Sequence, residues 1–313
     1  MRPSIAKNRA AAPSHFYEKA NRQLDSSTLR RQGGGWPLVT RQIPDAPPYD
    51  RNLEKRELRC AGVTVSCMKT ALYGRIVFGA SAVLFGVIAL MWYDSETWQT
   101  LRQIWSLRFG TIIGGCLMIV QIAGGIGMQY PRTARLASIV LGIVYLLFSL
   151  ACIPGIIAAP AIYVHYGSFF EQFSLLCGAI ALYAATEANA ARAVAFGRVA
   201  RLGLGVCAIS FTLSQILYLP ATADLVPKWI PPNRTFWAIL TTIAFALAAI
   251  SILINRQAQL AIRLMTLMLA LFGVLVWVPR LIAHPEAHLN WSEFGLTFLI
   301  TGAVWMVADL RSF

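Results

Sequence analysis

Charge is what this chain has least of. Only 13% of its 313 residues are Asp, Glu, Lys or Arg, against about 25% in soluble domains. With 57% hydrophobic residues and a mean hydropathy of +0.59, an ordinary soluble enzyme is excluded. Acidic residues are the scarcest, 14 against 27 basic ones, yet the net charge of +13 does not describe a nucleic-acid binder. Residues 1–70 hold 13 Lys or Arg and 6 Asp or Glu, and the remaining 243 hold 14 and 8, in short gaps between apolar runs. The middles of those runs are nearly free of ionisable groups, which argues against an ion pump. No histidine lies within a run to serve as an axial haem ligand. The six cysteines (60, 67, 116, 152, 177 and 207) form no C-x-x-C pair and no zinc-like cluster. Four of them sit inside apolar runs and read as small packing residues, so neither a disulfide framework nor a metal is expected. Gly110 with Gly114, and the cluster Gly124, Gly125 and Gly127, lack the strand-to-helix context of a phosphate loop and read as close helix packing.

What is present is length of apolar sequence. Crossing a bilayer core of roughly 30 Å takes about 20 helical residues, and eight runs qualify: about 73–92, 109–128, 135–157, 170–188, 199–219, 236–254, 260–278 and 291–307. Prolines mostly punctuate the gaps, with Pro154 the exception near the end of the third run. The expected fold class is therefore all-α, a polytopic membrane protein. Residues 1–70, rich in Arg, Pro and Gly without helical or strand period, read as a disordered basic tail. Alternatively the natural chain starts at Met68, directly before the first run. With the N-terminus inside, the inner flanks carry ten Lys or Arg and the outer flanks five. That predicts both termini in the cytoplasm of a bacterial-type inner membrane.

The eight runs divide into four plus four, residues 71–190 and 198–313. Arg75 and Gly79 match Arg201 and Gly205 at a separation of 126, Trp105 matches Trp229 at 124, Pro154 matches Pro279 at 125, and Glu171 roughly matches Glu293. An even number of spans per copy requires a parallel repeat about an axis along the membrane normal.

Polar candidates are few. Gln121 and Gln215 read as interhelical hydrogen-bond partners. Seven of the nine tryptophans fall near the outer ends of the runs, beside a mixed-sign set that includes His165, Glu171, Asp224, Lys228, Arg280, His284, His288 and Glu293. His284 and His288 have the i, i+4 spacing of a metal pair, but Pro285 disfavours a shared helix and no third ligand stands near. Arg75 and Arg201, inside the inner ends of runs one and five, read either as snorkelling to headgroups or as ion-paired with Glu187 or Asp309, closing each four-helix unit.

The stretch Leu225-Val226-Pro227-Lys228-Trp229-Ile230-Pro231-Pro232, then Phe236-Trp237 leading into an Ala-rich span and a basic turn around Arg256, resembles the DoxX family of small four-helix membrane proteins. The resemblance covers about residues 199–309; the first half keeps Trp105 but lacks the Pro-rich element. It implies a four-helix membrane unit linked to a redox system, since the family is named for a subunit of an archaeal thiosulfate:quinone oxidoreductase. Other members are associated with thiol redox homeostasis or with assembly of partner membrane proteins. No catalytic residue set carries over. The expected role is a non-catalytic membrane subunit or accessory factor with a redox partner protein and no nucleic acid. The alternatives are a quinone- or lipid-binding oxidoreductase subunit and a transporter of a small apolar or weakly polar solute. Quinone is the one cofactor this allows. Trp229, Arg280 and Glu293 are expected to converge above the second unit and bind the headgroup of an apolar ligand, Arg280 paired with Glu293.

Overall fold

The computed structural model describes residues 73–92, 103–104 and 106–310. The expected tail, with Cys60 and Cys67, and the outer-flank residues Asp94, Glu96, Trp98 and Trp105 lie outside the described residues. Among the described residues there is no strand. Eight helices are long and apolar enough to cross a membrane, which makes the fold an all-α polytopic membrane protein. Spans 1 to 8 are Tyr73–Met91, Gly110–Gly127, Ala134–Ala158, Val164–Thr186, Ala190–Leu217, Arg234–Leu253, Ala258–Ala283 and His288–Ala308.

Two boundaries differ from expectation for local reasons. Residues 190–198, expected to separate the halves, are helical. The Asn189 side chain accepts from the Arg192 backbone N–H at 3.1 Å, an N-cap that starts span 5 at once on an Ala-rich run. Span 4 begins at Val164 rather than near 170, because its polar first turns are covered by protein. The Tyr163 hydroxyl meets Ser210 Oγ of span 5 at 2.9 Å, and Gly167 faces Ser214. Asn233 caps span 6 in the same way as Asn189, accepting from Phe236 N–H at 2.7 Å.

Spans 3 and 7 share an ending. Each closes in a short helix entered through a proline, Ile153–Ala158 with Pro154 and Val278–Ala283 with Pro279. The residues that end these helices, Ala159 (φ −142°, ψ 69°) and His284 (φ −139°, ψ 71°), adopt the same backbone conformation 125 positions apart. Span 7 alone contains a π-helical turn, Gly273–Trp277.

Spans pack in sequence order within residues 73–186 and again within 190–308, and span 4 also packs on spans 5 and 8. The tight crossings use small residues, because in lipid association depends on backbone approach. A Cβ on Gly302 of span 8 would stand 2.5 Å from the Phe78 Cα of span 1. At the counterpart crossing, 125 residues away at each partner, Gly203 of span 5 meets Cys177 Sγ of span 4. Gly178 and Ala303, themselves 125 apart, touch each other where spans 4 and 8 cross: a Cβ on Gly178 would lie 2.5 Å from that of Ala303. Span 8 is the most enclosed, 72% of its apolar window being buried.

Candidate functional site

The basic flanks and the tryptophans mark two ends of the bundle. Span 5 turns at the Trp-rich end into a short helix, Leu219–Leu225, that returns over the interior of spans 5 to 8. Beneath it lies a cavity of about 230 Å³. Its apolar wall includes Phe211, Phe245 and Phe272, with Phe211 and Phe245 edge to face at 5.7 Å between centroids. Its polar wall holds Glu171 of span 4, Glu293 and Thr297 of span 8, Ser214 and Gln215 of span 5, and Thr222 of the short helix. No Lys, Arg or His lines it.

Its donors are left for something other than protein. Gln215 Oε1 accepts from the Thr242 hydroxyl at 3.0 Å and from Thr241 at 3.4 Å, while its NH2 group has no partner among the described residues. Trp277, the last residue of the π-helical turn, also lines the cavity; it is only 4% exposed, and its Nε1–H has no partner in the protein. A buried N–H left unpaired costs about 1–3 kcal/mol, and π-helical turns recur at functional sites. Both features point to the cavity as a binding site.

Of the three residues expected to converge, only Glu293 lines this cavity. Trp229 is 67% exposed in the loop beyond the short helix. Arg280 does not pair with Glu293: its Nη2 donates to the Asp224 carbonyl at 3.3 Å, and its guanidinium lies 5.3 Å from the centroid of the Trp277 ring. One helical turn separates Arg280 from Trp277, so the indole face is its nearest surface. Asp224 is held in addition by Arg234 at 3.0 Å, so the two arginines pin the short helix over the cavity. Glu171, taken from the sequence as part of the outer rim, is a wall residue, and Trp277 was not singled out as polar. The available signal was an acidic residue in each of two apolar spans, which by itself marks function.

His284 lies just past the end of the Val278–Ala283 helix, and His288 opens span 8. His284 faces Glu286 at 3.4 Å on the surface, whereas His288 is buried, stacked on Trp92 at 5.3 Å with its Nε2 2.9 Å from Ser292 Oγ.

At the opposite, Arg-rich end the expected closing ion pairs take other partners. Glu187 accepts from Arg135 at 2.8 Å, from the Tyr183 hydroxyl at 3.0 Å and from Asn189 N–H at 3.1 Å. The Asn189 N–H, followed by the Tyr183 hydroxyl, holds its carboxyl below the usual range. Arg201 donates to the Ile252 carbonyl at 3.3 Å, and the Arg75 backbone carbonyl lies 3.4 Å from Gln129 Nε2. Asp309 lies against Gly74 and Trp305, and burial pushes its carboxyl up to about 7.

No protein-family model matches the chain, and no curated protein or solved structure shows significant similarity to it.

Proposed function

We propose that this chain is a membrane protein built of two DoxX-like four-helix units in parallel repeat, and that its second unit binds a small molecule in the cavity under the Leu219–Leu225 helix. The observation that carries the binding reading is the unpartnered, buried Trp277 N–H beside Glu171 and Glu293 in one cavity. Contacts that recur at 125-residue spacing, the two proline-entered short helices and the Val226–Pro232 loop support the repeat and the resemblance. The resemblance makes a binding subunit or accessory factor the first role, with a redox protein as its partner class. Solute carriage is the second reading. It is favoured by the fact that Glu171 and Glu293 come from different halves, so that movement of one half against the other would remodel the site.

The test is native mass spectrometry of the protein purified in mild detergent. Wild type should retain one small molecule per chain, and Trp277→Phe, which keeps an aromatic ring but removes the unpartnered indole N–H, should lose it while remaining folded and monodisperse in detergent. Wild type and variant carrying only bulk lipid and detergent would sink the reading.

The ten-to-five excess of basic residues at the Arg-rich end supports a bacterial-type inner membrane with both termini cytoplasmic. Reporter fusions after Phe313 should give fluorescent green fluorescent protein and inactive alkaline phosphatase. The reverse pattern overturns that orientation.

A further inference from the structure

The walls of this cavity define the charge of what it binds. We infer that the ligand is an organic cation, an amine on an aromatic or aliphatic body that also carries a hydrogen-bond acceptor. This rests on the binding reading above and goes beyond it to the ligand's chemistry.

The first observation is charge without complement. Two carboxylates from spans 4 and 8 face one space inside the apolar spans, and no basic residue lines it. Ionisable side chains inside a membrane are ordinarily paired with one another or with a counter-charge. Glu187 at the Arg-rich end shows that this chain does so where it can, with Arg135 at 2.8 Å. Arg280, three residues from Trp277, is committed to the Asp224 carbonyl and the Trp277 face. A cation on the occupant would supply the counter-charge that the protein does not place at Glu171 and Glu293.

The second observation is the aromatic wall. Phe211, Phe245, Phe272 and Trp277 line the same space. Aromatic faces attract a desolvated cation and also accept an apolar body. The third is the Trp277 Nε1–H, buried and unpartnered, which calls for an acceptor on the ligand. The Gln215 NH2 group adds a second donor.

A quinone fits this wall less well. Its carbonyl oxygens only accept, so they match the Trp277 and Gln215 donors but offer no counter-charge to Glu171 and Glu293. An amine donates to the carboxylates while an ether, hydroxyl or carbonyl on the same molecule accepts from the indole. The cavity, about 230 Å³, is at the small end for ligand sites, which favours a compact molecule over a long-tailed one.

The experiment is equilibrium dialysis of the purified full-length protein at neutral pH with three probes: phenethylamine, its uncharged isostere 2-phenylethanol, and a short-chain ubiquinone. Phenethylamine should bind at least about tenfold more tightly than 2-phenylethanol, as expected for a charge pair removed from water. Glu293→Gln and Glu171→Gln should each reduce that preference, and the double variant should abolish it, the amine and the alcohol then binding equally. Tighter binding of the alcohol or the quinone by wild type overturns the cation inference and leaves the binding reading standing. So does a preference that survives in the double variant. If none of the three probes binds and no small molecule is retained on purification, the binding reading itself falls.

Discussion

The two halves of the chain differ most in how their interiors are filled. In the first half Tyr145 and Phe148 of span 3, Phe78 of span 1 and Met118 of span 2 are wholly buried, with Tyr145 6.0 Å from Phe78 and 6.5 Å from Phe148 between ring centroids. In the second half the position 125 residues after Tyr145 is Ala270, and the cavity lies beside it at Leu269 and Phe272. Trp277 stands 125 residues after Cys152, but Cys152, the turn residue between two helical segments, donates its thiol to the Phe148 carbonyl, whereas Trp277 ends a π-helical turn and has no acceptor. One scaffold thus carries a closed interior and an open one. The filled half still leaves polar atoms unsatisfied: the Tyr145 hydroxyl and the Gln172 amide are buried without partners, and nothing in the structure accounts for Gln172.

The largest effect should come from emptying the filled half. Tyr145→Ala removes a ring that is 0% exposed and should cost about 3–5 kcal/mol, read as a fall in melting temperature in detergent. Tyr145→Phe is the control. It deletes only a hydroxyl that pays desolvation without a hydrogen bond, so it should be neutral or stabilising by about 1 kcal/mol. Loss of stability in Tyr145→Phe equal to that in Tyr145→Ala would show that the hydroxyl, and not the filling, distinguishes the halves.

A smaller effect should separate the Arg-rich corners. Glu187 closes span 4 with three hydrogen-bond donors, whereas Asp309 closes span 8 with burial the dominant influence on its carboxyl. The folded protein therefore holds the Asp309 proton more tightly than the unfolded chain. Its contribution to stability is intact below the ordinary carboxyl value of 3.8 and is lost as pH rises to about 7. Asp309→Asn should accordingly raise the melting temperature relative to wild type at pH 8 and make little difference at pH 4. An equal gain at both values would assign the effect to something other than ionisation.

The number of spans was legible in the sequence for a physical reason: bilayer thickness fixes how long an apolar run must be. The site was legible only in part. Val164, His165, Tyr166, Gly167 and Ser168 are too polar to register as membrane-spanning sequence, so Glu171 looked like the first turn of its span. Tyr163 just before them bonds Ser210 of span 5 and His165 lies against Gly155 of span 3, and the helix begins early enough to carry Glu171 two turns inside. Pairing Arg280 with its nearest carboxylate in sequence ignored the indole one turn away. The π-helical turn that presents Trp277 has no sequence signal, since it depends on how span 7 packs against its neighbours.

The enclosure of span 8 has a consequence for how the molecule is made. In the order of synthesis it follows the other seven spans, yet Gly302 and Ala303 are what the small-residue surfaces of spans 1 and 4 close upon. Until it inserts, those surfaces can meet only lipid or one another, and the Glu171 carboxylate has no opposite wall. Both halves therefore wait, incompletely assembled, for the same central helix to leave the ribosome and enter the membrane.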